Sequence, residues 1–196
     1  RLSPPVLKIA FGHTAGAGLD AADVDGDGDL DAVVARISGA PGIQSFLNDG
    51  SGNFTAGPIT SLSGSPFAPR LGSLGGTGAI DVVVPLGGFP GTVAIRFGDG
   101  TGAFPTGSNV TAVNAPTHAA IGDVNLDGFA DVVVANRNST VASVFRGSAG
   151  GSFTATTVNV GVMHHPPVIG DLDGDGTGGD VAFGSVIAGV RVLINE

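Results

Sequence analysis

Asp23-Val-Asp-Gly-Asp-Gly-Asp-Leu-Asp-Ala-Val-Val-Ala35 packs five aspartates into nine residues and then runs straight into β-branched residues. Carboxylates stand at loop positions 1, 3, 5 and 9 (Asp23, Asp25, Asp27 and Asp31), with Gly28 at position 6 and the backbone carbonyl of Asp29 at position 7. Alternate positions of a tight loop converge on one point, and glycine at position 6 allows the sharp turn. Such carboxylates repel one another unless a cation sits among them. A hard divalent ion fits: calcium takes six to eight oxygens at about 2.3–2.6 Å and needs neither sulfur nor imidazole.

The pattern recurs along the chain. Asp31-Ala-Val-Val-Ala35, Asp81-Val-Val-Val-Pro85 and Asp131-Val-Val-Val-Ala135 are spaced by 50 residues, and Asp180-Val-Ala-Phe183 follows 49 later. A second marker keeps step: Phe46-Leu-Asn-Asp-Gly-Ser-Gly-Asn-Phe54, Arg96-Phe-Gly-Asp-Gly-Thr-Gly-Ala-Phe104 and Phe145-Arg-Gly-Ser-Ala-Gly-Gly-Ser-Phe153. Four such periods account for all 196 residues, so 1–196 reads as one domain. Short β-branched runs between Gly, Asn and Asp turns imply about four strands per period, and no stretch has a capped 3.6-residue apolar period. The expected fold is an all-β propeller of four four-stranded antiparallel blades, packed radially so that few strand edges are left open.

The two ends are complementary. Glu196 stops at the turn equivalent to Asp49, while Arg1–Pro5 falls where the turn-ending Phe54, Phe104 and Phe153 sit. Val6-Leu-Lys-Ile9 therefore matches an outer strand, and Val6–Phe11 is expected to complete the last blade, in its own ring or in a neighbouring chain. A first residue Arg1 in place of methionine is expected of a processed product or a fragment.

The other acidic loops vary. The third (123–131) keeps the pattern with Asp123, Asn125, Asp127, Gly128, the carbonyl of Phe129 and Asp131. The fourth (171–180) has Asp171, Asp173, Asp175, Gly176 and the carbonyl of Thr177, with Asp180 one residue late; the extra glycine of Thr177-Gly-Gly179 can bulge outward. The second (73–81) is degenerate: Ser73, Gly75 and Thr77 replace three ligands and only Asp81 remains, so no metal is expected there. Unlike an EF-hand loop, whose last ligand is a glutamate at position 12, these loops end on an aspartate that opens a strand. Calcium is thus expected in the first, third and fourth loops. They hold 12 of the 17 acidic residues, and three Ca2+ ions would bring the formal charge from −9 to −3.

Composition narrows the function classes. Eight basic residues against 17 acidic ones argue against nucleic acid and anionic membrane surfaces as partners. No apolar run approaches the ~20 residues that span a bilayer, so no membrane insertion is expected. Cysteine is absent, which rules out disulfides, thiolate metal sites and a thiol nucleophile. There is no Gly-x-Ser-x-Gly elbow, phosphate loop or His-Glu-x-x-His, and only Asp20, Asp49 and Asp99 lie outside the repeated loops, so a non-enzymatic role is expected. His13, His118, His164 and His165 share no common offset and read as solvent-facing loop residues.

The unit Asp-x-Asp-x-Asp-Gly-x-x-Asp-(Val)n, followed by Phe/Leu-Asn-Asp-Gly-x-Gly-x-Phe, resembles the FG-GAP/VCBS repeat of integrin α-subunits, certain fungal lectins and bacterial surface proteins. The resemblance implies a β-propeller with the calcium loop between the first two strands of each blade. It also implies extracellular or cell-surface calcium binding by the aspartates and Asn125 named above. Such propellers usually have seven blades; four leave open a small closed ring, a fragment or half of an assembly. The expected function is a structural or adhesive surface module that can self-assemble into an array or filament, with other copies of itself or an extracellular protein or glycan as partner. Two alternatives stand beside it: a carbohydrate-binding lectin, disfavoured by the lack of Tyr and Trp platforms, and an integrin-like protein-ligand-binding domain.

Overall fold

The computed structural model describes residues 15–75, 78–137, 139–162, 165–176, 178–185 and 189–195. They form four antiparallel sheets and, among the described residues, no helix. The first sheet runs β1 (Ala15–Ala22), β2 (Asp31–Arg36), β3 (Gly42–Asn48), β4 (Phe54–Ser61). In the second, β7 (Asp81–Gly87), β8 (Thr92–Phe97) and β9 (Thr106–Thr111) follow a first strand broken into β5 (Ser65–Pro66) and β6 (Arg70–Gly72). Pro66 and Pro69 explain the break, since neither can donate to a ladder. The third sheet is β10 (Pro116–Gly122), β11 (Asp131–Asn136), β12 (Val141–Ser148), β13 (Ser152–Asn159). The fourth comprises β14 (Val168–Gly170), β15 (Asp180–Ser185) and β16 (Gly189–Leu193).

The expected all-β architecture is present as four antiparallel sheets, with the expected four-strand order in the first and third. The fourth sheet has three strands among the described residues. The place assigned to Val6–Phe11 concerns residues outside the described ones.

The valine runs are buried because each strand serves two interfaces at once. Successive side chains of a strand point to opposite faces. Val82 and Val84 accordingly pack with Val33 and Ile43 of the first sheet, while Val83 packs with Val132, Val134 and Phe145 of the third. Val133 in turn meets Val181 and Phe183 of the fourth. Alternation between polar and apolar residues is absent here because both faces are dry. The turn-ending phenylalanines serve the same interfaces: Phe104 joins the core between the first and second sheets, and Phe153 borders that between the second and third.

Asp20 of β1 accepts the Leu71 N–H at 3.0 Å and stands 3.8 Å from the Arg70 guanidinium, tying β1 to β6. The turns carry the expected left-handed glycines, Gly50 and Gly52 at φ +73° and +77° and Gly100 and Gly102 at +76° and +79°. Asp49 and Asp99 organise these turns, and their carboxyls are held below the usual range by the side chains of Asn53 and Thr101 respectively and by backbone N–H groups. That contribution is present above the ordinary carboxylate pKa and is lost as pH falls through the depressed value.

Phe145, fully buried between the second and third sheets, tests this packing. Phe145→Ala is expected to cost about 3–5 kcal/mol, read as a lower urea midpoint at unchanged slope.

Candidate metal centre

Each acidic loop connects the first strand of its sheet to the strand opened by the repeat's last aspartate: β1 to β2, β10 to β11 and β14 to β15. Within the loops the position-1 aspartate shapes the backbone. Asp23 takes the N–H of Gly26 at 2.7 Å on Oδ1 and of Gly28 at 3.0 Å on Oδ2. Asp171 does the same for Gly174 and Gly176, at 2.7 and 3.1 Å. Asp123 accepts from Asp127 at 3.2 Å and Gly128 at 2.8 Å. These bonds curl the chain and bring positions 1, 3 and 5 of the first loop together, whereas in the fourth positions 1 and 3 converge with Asp180 rather than with Asp175.

The curl needs left-handed backbone at two positions, not one. Gly26 and Gly28 have φ +81° and +95°, and Gly174 and Gly176 +81° and +86°. In the third loop position 4 is Leu126 at φ +58°, a conformation disfavoured for a residue with a Cβ. The position-4 requirement escaped the reading of the sequence because Leu126 breaks the glycine pattern there.

Carboxylate oxygens of Asp23, Asp25 and Asp27 lie within 4.8 Å of one another, as do those of Asp171, Asp173 and Asp180. Oxygens on opposite sides of one calcium ion stand about 4.6–5.2 Å apart, so both groups fit such an ion in size and in donor type. In the third loop Asp123, Asn125 and Asp127 occupy the corresponding positions, with Asn125 Nδ2 donating to Asp127 Oδ2 at 2.9 Å. Partial burial, then the carboxylates of Asp31, Asp27 and Asp23, push Asp25 above the usual carboxylate range, a crowding that a cation relieves. Asp180, one residue late in sequence, still opens its strand opposite Gly170, as Asp131 does opposite Gly122. Asp175 N–H donates to Asp173 at 3.1 Å, repeating the Asp27-to-Asp25 bond of 3.3 Å. The position-7 residues Asp29 and Phe129 donate their N–H to the position-5 aspartates, each at 2.9 Å. Thr177 and Thr77 lie outside the described residues.

The last aspartate of each loop has a second role. Asp31 is 1% exposed and takes the N–H of Val24 at 2.9 Å and of Asn48 at 2.8 Å, one on each oxygen. Asp131 holds Val124 and Gly147 at 2.9 and 2.7 Å, and Asp180 holds Leu172 and Asn195, both at 2.8 Å. Asp81 makes the same clamp on Leu74, Gly75 and Gly98 at 2.7–2.9 Å, although its loop has lost the other acidic positions. An aspartate kept where its neighbouring ligands are gone is there for the fold. Burial pushes Asp131 up, whereas the Asn195 and Leu172 N–H groups pull Asp180 down.

One histidine assignment is corrected. His118 lies in β10, half-buried, with Nδ1 3.1 Å from Thr117 Oγ1, so it is not a solvent-facing loop residue. His13 and His164 lie outside the described residues.

The two carboxylate roles separate by mutation. Asp81→Asn removes one acceptor from buried N–H groups and is expected to cost about 1–3 kcal/mol in urea melts, equally with calcium or EDTA. Asp25→Ala is expected to stay within about 0.5 kcal/mol of the parent in EDTA and to lose calcium-dependent stabilisation.

Residues 123–178, from the third acidic loop into the fourth, match the family model of the FG-GAP-like repeat. No curated protein matches the chain.

Proposed function

We propose that this FG-GAP-like repeat protein is a calcium-stabilised, non-enzymatic adhesive module of the cell surface or extracellular space, its four sheets arranged as propeller blades. The observation that carries the reading is the convergence of carboxylates in the first and fourth loops, built by the same backbone turns as in the third. The ions belong at one end of the sheets, next to the buried aspartates that join loop to strand. There they neutralise clustered charge and stiffen the connection between β1 and β2, β10 and β11, and β14 and β15. Extracellular calcium modules bind at about 10⁻⁴–10⁻³ M, which suits a compartment rich in the ion.

Self-association is supported by an apolar face of the fourth sheet that no other sheet covers among the described residues. Val33, Val83 and Val133 use one strand face to meet the next sheet. The corresponding face of the fourth carries Val168 and Val192, both opposite Ala182, and Val190, which are 59%, 47% and 70% exposed. A contiguous apolar face of this kind favours contact with another sheet.

Calorimetric titration is expected to give three calcium equivalents. At tenfold excess over Kd each site adds about 1.4 kcal/mol, so three together raise the melting temperature by roughly 8–16 °C. EDTA should reverse the shift. An unchanged melting curve in EDTA overturns the calcium reading, and a monodisperse 19.0 kDa species by light scattering in calcium overturns self-assembly.

A further inference from the structure

Phe104 and Phe153 fill equivalent places in successive interfaces. Each ends a Gly-x-Phe turn, Gly102-Ala-Phe104 or Gly151-Ser-Phe153, and leads into an outer strand, β9 or β13. The ring lies over the glycine whose N–H the buried aspartate holds. A Cβ on Gly98 would meet Phe104 at 3.6 Å, and one on Gly147 would meet Phe153 at 3.6 Å. The turn glycine rides on the preceding sheet: a Cβ on Gly102 would press on Leu47 at 2.7 Å, and one on Gly151 on Phe97 at 2.5 Å.

The interface between the third and fourth sheets has the same walls. Val124, Val133 and Val181 take the places of Leu74, Val83 and Val132, and Asn195 donates its N–H to Asp180 as Gly147 does to Asp131. Among the described residues no phenylalanine follows Asn195 to cover it. A cleft of ≈ 150 Å³ lies there instead, lined by Val133, Val158, Val181, Phe183 and Leu193, with Arg146 in the position of Leu47 and Phe97. An apolar cavity of about this volume takes a benzene ring.

The strand edge beside the cleft is open as well. β3, β8 and β12 each have an outer partner, β4, β9 and β13. β16 pairs with β15 and, among the described residues, with nothing on its other side. Gly189 to Val192 are exposed, whereas the corresponding stretch of β12, Ala142 to Phe145, is buried. An unpaired edge is a template for an extended chain, with main-chain hydrogen bonds giving affinity and side-chain pockets giving specificity. Val6-Leu-Lys-Ile9 does not supply the ring, because no phenylalanine stands five or six positions before either β-branched residue.

We propose that the outer edge of β16 and this cleft together bind an extended segment of another polypeptide that carries Gly-x-Phe followed, five or six positions after the phenylalanine, by Val or Ile. That spacing is the one the chain uses itself, from Phe104 to Val110 and from Phe153 to Val158. The segment pairs antiparallel with β16, its glycine passes over Arg146, and its phenylalanine fills the cleft. The β-branched residue falls on the opposite face, beside Val190 and Val192. Arg146 has no hydrogen-bond or ion-pair partner among the described residues, and a guanidinium is attracted to the face of such a ring. The inference rests on the repetition of the sheets and not on calcium, and it gives the adhesive module a partner class.

The decapeptide Gly-Ser-Phe-Thr-Ala-Thr-Thr-Val-Asn-Val, the chain's own residues 151–160, is the probe. Titrated into the calcium-loaded full chain, it is expected to saturate below ~1 mM, with 15N–1H NMR shifts confined to residues around 146, 156–158, 179–183 and 189–195. The same peptide with Phe153→Ala should bind at least about tenfold more weakly, a difference of ~1.4 kcal/mol. Leu193→Asp in the chain places a carboxylate in the cleft and should weaken binding about tenfold or more, while the calcium-dependent melting shift persists. If that variant does not fold, the peptide pair decides. No saturation below ~1 mM overturns the proposal, and so does a Phe153→Ala peptide that binds as tightly, or shifts remote from β16. A free chain whose Gly189–Leu193 amides are all protected from hydrogen exchange has the edge already paired, by its own residues or, where light scattering gives a dimer, by a second copy. Either result overturns the proposal too.

Discussion

A carboxylate buried at the start of the second strand of every repeat holds the architecture together. Asp31, Asp81, Asp131 and Asp180 are each 0–1% exposed. Each bonds backbone N–H groups from two sides: the incoming loop and the end of the next strand or a residue within two positions of it. Burying a charge is costly unless it is compensated, and charge-assisted bonds to both oxygens supply that compensation. No neutral side chain of the same size offers two acceptor oxygens to N–H groups converging from opposite directions. The second sheet, which keeps Asp81 without the other acidic positions of its loop, separates this duty from the carboxylate cluster.

Around that clamp the sheets are thin and close. Valine dominates the second strands because each must fill two interfaces with compact, stiff side chains. Glycine appears where backbones nearly touch: a Cβ on Gly147 would sit 2.2 Å from the Ala130 carbonyl oxygen, and one on Gly98 would sit 2.1 Å from that of Ile80. The high glycine content thus reflects tight sheet geometry and loop curvature together, not disorder.

The two ends of the sheets have diverged chemically. One end collects carboxylates into loops whose turns are set by the position-1 aspartate. The other has Ala115 at a positive φ, a bulge at Thr117, the half-buried His118 and the Arg137 guanidinium, which has no partner among the described residues. Rigid strands hold these ends apart.

The period of about 50 residues, the β class, the acidic loops and the hairpin turns were legible in the sequence because each rests on local spacing. Alternation by two assigns strand faces, and Asp and Gly at fixed offsets assign turns. Two features were not legible. The buried bonds of Asp31 and its equivalents join residues 6 to 17 positions apart, and Asp81 looked like the remnant of a lost metal loop until its partners were known. The cleft of Phe67, His118 and Arg137 draws on three separate segments with no shared motif. Tertiary packing alone brings such residues together, because a bulge and a strained backbone position are set by what the neighbouring sheet allows, and one-dimensional spacing carries no trace of that neighbour.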